Sequence, residues 1–284
     1  MSAKTLEGKA IATSILAELQ LRIQRGRLAP ALAVLAVETP TARHRADPFL
    51  AHTTRICEET GVACRLFSFP ANRNTANFIQ TIHELNADPN IQGIFLQAPL
   101  PQHLNTQKII ESIAPAKDVG GLHPHTARRI LKMKPTLRDP RVEGVLRLIQ
   151  VATRNHLLSE KFGVILSNDP AFRRVMAQTL YQALGVPAEA PRTLSPSARS
   201  VLQRADIVIT AQTDLQNIRH LMIKDGAIVI DATIPETLES SPSRRLHPSL
   251  YAKAAWISHA NTGLAPVRFA LTLSNVLTAY SLAS

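Results

Sequence analysis

The chain has 284 residues, 32 Lys and Arg against 21 Asp and Glu, a formal charge of +11 and 45% hydrophobic residues. This length suits one large or two ordinary domains, and the composition excludes disorder as the main state. No run approaches the roughly 18 to 20 apolar residues of a membrane-spanning helix, so a soluble protein is expected. Two cysteines, Cys57 and Cys64, are too few for a disulfide scaffold and fit a reducing compartment. Glycine is scarce, 11 residues or about 4% against the usual roughly 7%, which argues against a glycine-built phosphate cradle. Arginine, the residue suited to bidentate contact with phosphate and carboxylate, supplies most of the positive charge, which argues for an anionic partner or compartment.

From Leu6 to about Arg25 apolar residues recur at helical spacing (Ile11, Ile15, Leu19, Ile23). Glu7 and Glu18 within this stretch argue against a cleaved mitochondrial presequence, which is poor in acids. Ala31 to Val37, set between Pro30 and Pro40, reads as a buried parallel strand. A helix from about Asp47 to Thr60 stops at Gly61. Strand Cys64 to Phe69, helix Thr75 to Leu85 and strand Gly93 to Gln97 continue the alternation. After a basic, proline-marked stretch the pattern restarts: helix Val142 to Ala152, strand Gly163 to Ser167, helix Ala171 to Leu184, strands Asp206 to Ala211 and Ala227 to Asp231, and a last helix from Pro266 to about Tyr280. The stretches Pro187 to Pro196 and Thr237 to Pro248 read as surface loops. Strands alternating with helices predict an α/β fold with parallel sheets.

Several segments in order resemble the bifunctional methylenetetrahydrofolate dehydrogenase/cyclohydrolases, the FolD family. They are Leu6-Glu7-Gly8-Lys9-Ala10-Ile11-Ala12, Ile56-Cys57-Glu58-Glu59-Thr60-Gly61, Gly93-Ile94-Phe95-Leu96-Gln97-Ala98-Pro99-Leu100-Pro101, Lys117-Asp118-Val119, Arg204-Ala205-Asp206-Ile207-Val208 and Gly226-Ala227-Ile228-Val229-Ile230-Asp231. The resemblance implies two α/β domains with a cleft between them. Residues 1–142, completed by the C-terminal helix 266–284, would form the folate-type domain, and residues 143–265 a Rossmann-like NAD(P)-type domain. It also implies hydride transfer from methylenetetrahydrofolate to NADP, hydrolysis of the methenyl product to the formyl form, and a homodimer.

The chain departs from the family where the chemistry sits. The family's Tyr, followed four residues later by a Lys that moves a proton and polarises the folate, corresponds to Phe49 and Thr53. No lysine lies between Ala10 and Gln107, and the tyrosines are Tyr181, Tyr251 and Tyr280, so no shift of register restores the pair. The family's Lys-Asp-Val-Asp-Gly reads Lys117-Asp118-Val119-Gly120-Gly121, without the second Asp that holds the pterin. Gln97 and Asp118 remain as relics of the substrate site, with Gln97 read as a polar residue held at a strand end. A dinucleotide fold uses glycines between its first strand and helix so that the pyrophosphate reaches backbone N–H groups. Here that loop is Ser167-Asn168-Asp169-Pro170-Ala171-Phe172-Arg173-Arg174, with no glycine and with an acid that would repel phosphate.

These losses lead to the expectation of a catalytically inactive relative, not an enzyme, with no cofactor, kept as a structural or binding subunit of a larger assembly. The alternatives are an active NADP-dependent enzyme with an altered site and an RNA- or anion-binding protein. Protein partners are expected, an RNA or acidic partner is a further candidate, and the mitochondrial matrix is favoured over the cytoplasm from charge and family distribution. The expected partner surface is the basic run Arg128, Arg129, Lys132, Lys134, Arg138, Arg141, Arg147 and Arg154, opposed only by Asp139 and Glu143. His123 and His125 lack a third ligand at zinc-like spacing and are read as part of a turn.

Overall fold

A computed structural model describes residues 2–38, 48–97, 100–132, 137–154, 158, 160–211, 217–234 and 246–283, with Pro48 and Phe49 as backbone only. The chain divides into two compact units: Met1–Ala12 with Arg141–Arg268, and Thr13–Pro140 with Phe269–Ser284. In chain order the elements are β1 (Lys4–Thr5), α1 (Lys9–Gly26), β2 (Ala31–Val37), α2 (Pro48–Thr60), β3 (Ala63–Phe69), α3 (Thr75–Ala87), β4 (Gly93–Leu96), α4 (Thr106–Ser112), α5 (Pro124–Leu131), α6 (Pro140–Thr153), β5 (Gly163–Ser167), α7 (Pro170–Leu184), β6 (Ala188–Glu189), α8 (Pro196–Leu202), β7 (Ile207–Ala211), β8 (Ile228–Asp231), β9 (Trp256–Ser258) and α9 (Ala265–Ala283).

In the unit built on Thr13–Pro140, a parallel sheet runs β3-β2-β4, with Leu32 level with both Cys64 and Gly93. Side chains alternate across β2 because strand periodicity is two. Leu32 and Val34 pack on one face with Leu19 and Ile23 of α1, Ile56 and Cys57 of α2, and Leu273 and Val276 of α9. Ala31, Ala33 and Leu35 pack on the other with Phe78 and Ile82 of α3 and Ile109 of α4. Helices on both faces explain why β2 reads as an unbroken apolar run. Asn275 of α9 fixes that helix to this unit by donating to the Val119 and Arg138 carbonyls at 3.0 and 2.8 Å.

The other unit has a parallel six-stranded sheet in the order β1-β9-β8-β7-β5-β6. Val164, Leu166, Val208, Val229 and Ile257 form one of its buried faces. β1 is only two residues long, and it pairs with Trp256 and Ile257 of β9. Such a short exposed segment carries no periodic signal, so the sequence reading gave it no strand. The loop expected from Pro187 to Pro196 contains the two-residue β6. Of the loop expected at Thr237 to Pro248, residues 237–245 lie outside the described residues.

Candidate functional site

The first group of site positions lies on α2 and the β4 end of the small sheet. Phe49 is in the first turn of α2, and its side chain is outside the described residues. Thr53, one turn further on, is fully buried, and its Oγ1 has no hydrogen-bond partner among the described residues. A buried hydroxyl without a partner is costly and calls for an explanation such as a bound ligand or water. Gln97 follows β4, and its backbone N–H donates to the Leu35 carbonyl at 2.9 Å, which places it at the strand end that the sequence indicated.

Asp118 and Lys117 have structural partners. The Asp118 carboxylate is buried and accepts from His123 N at 2.8 Å, Leu122 N at 3.3 Å and Thr126 Oγ1 at 3.2 Å, so it anchors the start of α5. Burial pushes its pKa up in spite of these bonds. Lys117 Nζ donates to the Leu85 and Asp88 carbonyls at 2.9 and 2.7 Å. His123 Nδ1 accepts from His125 N at 2.9 Å and caps α5.

The second group surrounds the turn from β5 into α7. Asp169 Oδ1 accepts from Ala171 N at 2.9 Å and Phe172 N at 3.1 Å, capping the helix. Its other oxygen meets Arg141 Nη2 at 2.9 Å, and the Arg141 guanidinium lies 3.8 Å over the Phe172 ring. Burial raises the Asp169 pKa, but the bonds from Phe172 N and Arg141 outweigh it and hold the carboxyl below the usual range. Ser167 Oγ accepts from Asp169 N at 3.1 Å, and Arg173 Nη1 donates to the Ser167 carbonyl at 2.5 Å. Asn168 and Arg174 are exposed.

A third group was missed in the sequence. At the carboxyl ends of adjacent strands stand Thr210 of β7, Asp231 of β8 and Ser258 of β9; Thr210 is level with Asp231 on one face of the sheet, whereas Ser258 is level with Ile230 and lies on the other. All three are buried, and the Thr210 and Ser258 hydroxyls have no hydrogen-bond partner among the described residues. Asp231 Oδ1 accepts from Thr233 N at 2.9 Å, and burial pushes its pKa up to about 6. Open α/β sheets bind ligands at the carboxyl ends of their strands. A polar residue closing each of three apolar runs was the available signal.

These residues give two answers on a dinucleotide. The buried Thr210 hydroxyl level with Asp231 at the strand ends fits a polar ligand. The N-terminus of α7 does not fit a pyrophosphate as built, because Asp169 already takes the Ala171 and Phe172 N–H groups and Pro170 has none to give.

The expected basic surface is only partly available. Arg141 is bound to Asp169, Arg147 Nη2 meets Glu143 at 3.2 Å, and Lys134 lies outside the described residues. Arg128, Lys132, Arg138 and Arg154 are exposed, and Arg129 is half-buried. Among the described residues no helix is long and apolar enough to cross a membrane.

A family model described as tetrahydrofolate dehydrogenase/cyclohydrolase, catalytic domain, matches residues 6–120, and one described as its NAD(P)-binding domain matches residues 141–284. The chain is 32% identical to the bifunctional protein FolD of Methylobacillus flagellatus, covering 99% of this chain and 97% of that protein. The crystal structure of the bifunctional FolD dehydrogenase/cyclohydrolase of Campylobacter jejuni is similar at 25% identity and a TM-score of 0.83, covering 99% of both chains. The FolD of Trypanosoma brucei, complexed with NADP cofactor and inhibitor, is similar in fold at 22% identity and a TM-score of 0.82, covering 99% of this chain and 98% of that one.

Two expectations are corrected by these matches. The inactive structural subunit that is not an enzyme is overturned by similarity to bifunctional FolD from end to end, through both domains. The expectation of no cofactor is overturned by the NAD(P)-binding-domain match across residues 141–284. In both cases a few substituted positions outweighed the fold around them, and the polar residues that close the apolar strands went uncounted. Matched by both models and 32% identical along nearly its whole length to a curated relative, the chain belongs to the tetrahydrofolate dehydrogenase/cyclohydrolase family.

Proposed function

We propose that the protein is an NADP-dependent methylenetetrahydrofolate dehydrogenase and methenyltetrahydrofolate cyclohydrolase working with an altered folate site. The observation that carries this reading is the 32% identity to a bifunctional FolD over 99% of the chain. The buried Thr53 hydroxyl supports it further, because it lies where the family places its lysine and has no hydrogen-bond partner among the described residues. When bound, NADP supplies the hydride acceptor.

The two half-reactions make different demands on this chain. Hydride transfer depends mainly on holding two reactants in line, which a retained fold can do. Hydrolysis of the methenyl form needs water to attack and protons to move, and a threonine hydroxyl can orient a water but cannot replace a lysine in proton transfer. General acid–base catalysis contributes roughly 10²- to 10⁴-fold, so the cyclohydrolase step is the one expected to be slowed.

Separate assays of the two steps test the reading: NADPH formation from methylenetetrahydrofolate, and loss of methenyltetrahydrofolate absorbance. The reading predicts measurable dehydrogenase activity with a lower cyclohydrolase-to-dehydrogenase ratio than in relatives with the Tyr and Lys pair. A folded protein inactive in both assays would overturn it.

The partner we propose is a second copy of the chain. β3 lies at the edge of its sheet and Leu66 on it is 45% exposed, which suits edge-to-edge pairing.

A further inference from the structure

Cys57 lies in the last turn of α2 and Cys64 is the second residue of β3, separated by a tight turn. Gly61 makes that turn in the left-handed region at φ +81°, and Val62 N donates back to the Cys57 carbonyl at 2.9 Å. Cys64 is level with Leu32 of β2, whose side chain shares a buried core with Cys57, and Cys64 packs against that same core, so the two cysteines lie on one face of the sheet across a single tight turn. Both cysteines are free; Cys57 is buried and Cys64 is partly exposed.

We propose that Cys57 and Cys64 are a dithiol that peroxide oxidises to an intrachain disulfide, a modification site on the helix that carries positions 49 and 53. Access assigns the order of attack. Cys64 is the partly exposed residue of the two, and the neighbouring Cys57 thiol holds its pKa below the usual value against the opposing effects of burial and Glu58. The neighbouring Cys64 and burial push the Cys57 thiol up, so Cys57 stays protonated until the second step. The Cys64 thiolate attacks one oxygen of hydrogen peroxide, forming a sulfenic acid and releasing hydroxide, which takes up a proton. The Cys57 sulfur then attacks the sulfenic sulfur, the S–S bond forms, and the S–O bond breaks with loss of water. In sum, two thiols lose two hydrogens and hydrogen peroxide is reduced to two waters.

The sequence makes the test direct, because cleavage after Arg55 and Arg65 releases both cysteines in one peptide, residues 56–65. The folded full-length protein is treated with equimolar hydrogen peroxide, alkylated under denaturing conditions, digested and weighed. The expected result is a peptide lighter than the reduced form by two hydrogens and carrying no alkyl group, which recovers two alkyl groups after dithiothreitol. In Cys57→Ser, Cys64 is expected to stop at sulfenic or sulfinic acid. Three results would overturn the proposal: a wild-type peptide that keeps both alkylation sites, one in which Cys64 gains oxygen while Cys57 remains alkylatable, or a disulfide joining two chains. The readout is a mass, so it is independent of whether the folate activity is present.

Discussion

Arg141 and Asp169 form an ion pair at 2.9 Å in which Arg141 also stacks on Phe172, and the pair closes the N-terminus of α7. A carboxylate thus occupies the end of the helix where the partial positive charge would otherwise meet an anion. Asp169→Ser keeps a capping oxygen but removes the charge and releases Arg141. The variant is expected to bind NADP about tenfold more tightly, roughly 1.4 kcal/mol, as measured by calorimetric titration. Unchanged affinity would show that the cofactor's phosphates do not approach this helix. Because the folded Asp169 pKa is lowered, the stability it contributes is present above the ordinary carboxylate range and is lost as pH falls through the lowered value.

Asp231 has the opposite sign. Its folded pKa is raised to about 6 by burial, from an ordinary value of 3.8, so the native state holds a proton that the unfolded chain has lost. Its contribution therefore weakens as pH rises from about 4 through about 6 and is level above that. Asp231→Asn imitates the protonated form, and its stability relative to wild type is expected to rise by up to about 3 kcal/mol across that window. Urea unfolding of both proteins at several pH values measures the difference, and a flat difference would contradict this account of Asp231.

Thr53→Val separates structure from function at one position. Valine has the same shape and removes a buried hydroxyl that has no hydrogen-bond partner among the described residues, so stability is expected to rise by about 1 kcal/mol. If the hydroxyl serves the folate, kcat/KM falls in the same variant. Loss of stability together with unchanged turnover would assign Thr53 to packing alone. The gain-of-function counterpart, Thr53→Lys, is expected to raise the cyclohydrolase rate more than the dehydrogenase rate.

Asp118→Ala leaves two backbone N–H groups and the Thr126 hydroxyl without their acceptor at the start of α5. The expected cost is about 2 to 3 kcal/mol, read from the unfolding midpoint. A loss of folate affinity without loss of stability would instead make Asp118 a ligand-holding residue.

Much of the fold is legible in the residues. Ala31 to Val37 is a central parallel strand because both of its faces are covered, and that leaves seven small or branched apolar residues in a row. Asp169 before Pro170, and Gly185 at φ +69° after Leu184, mark the two ends of α7. β1 escaped because two exposed residues pair through their backbone alone, and α4 escaped because seven residues give fewer than two periods of a helical pattern. At the site, the absent Tyr and Lys were readable as absences, but the pairing of Thr210 with Asp231 exists only through strand register. Asp118, read as a relic of the substrate site, accepts from two backbone N–H groups and the Thr126 hydroxyl in the folded chain, contacts that have no mark in the sequence.

The central claim is that this chain oxidises methylenetetrahydrofolate although α2 offers Thr53 in place of the family's lysine. The most direct measurement is NADPH formation by the purified, folded protein with saturating methylenetetrahydrofolate and NADP, with Thr53→Val run in parallel. The account predicts substrate-dependent NADPH formation that Thr53→Val diminishes. No NADPH above the protein-free control, from a sample shown to be folded by its thermal transition, would contradict it.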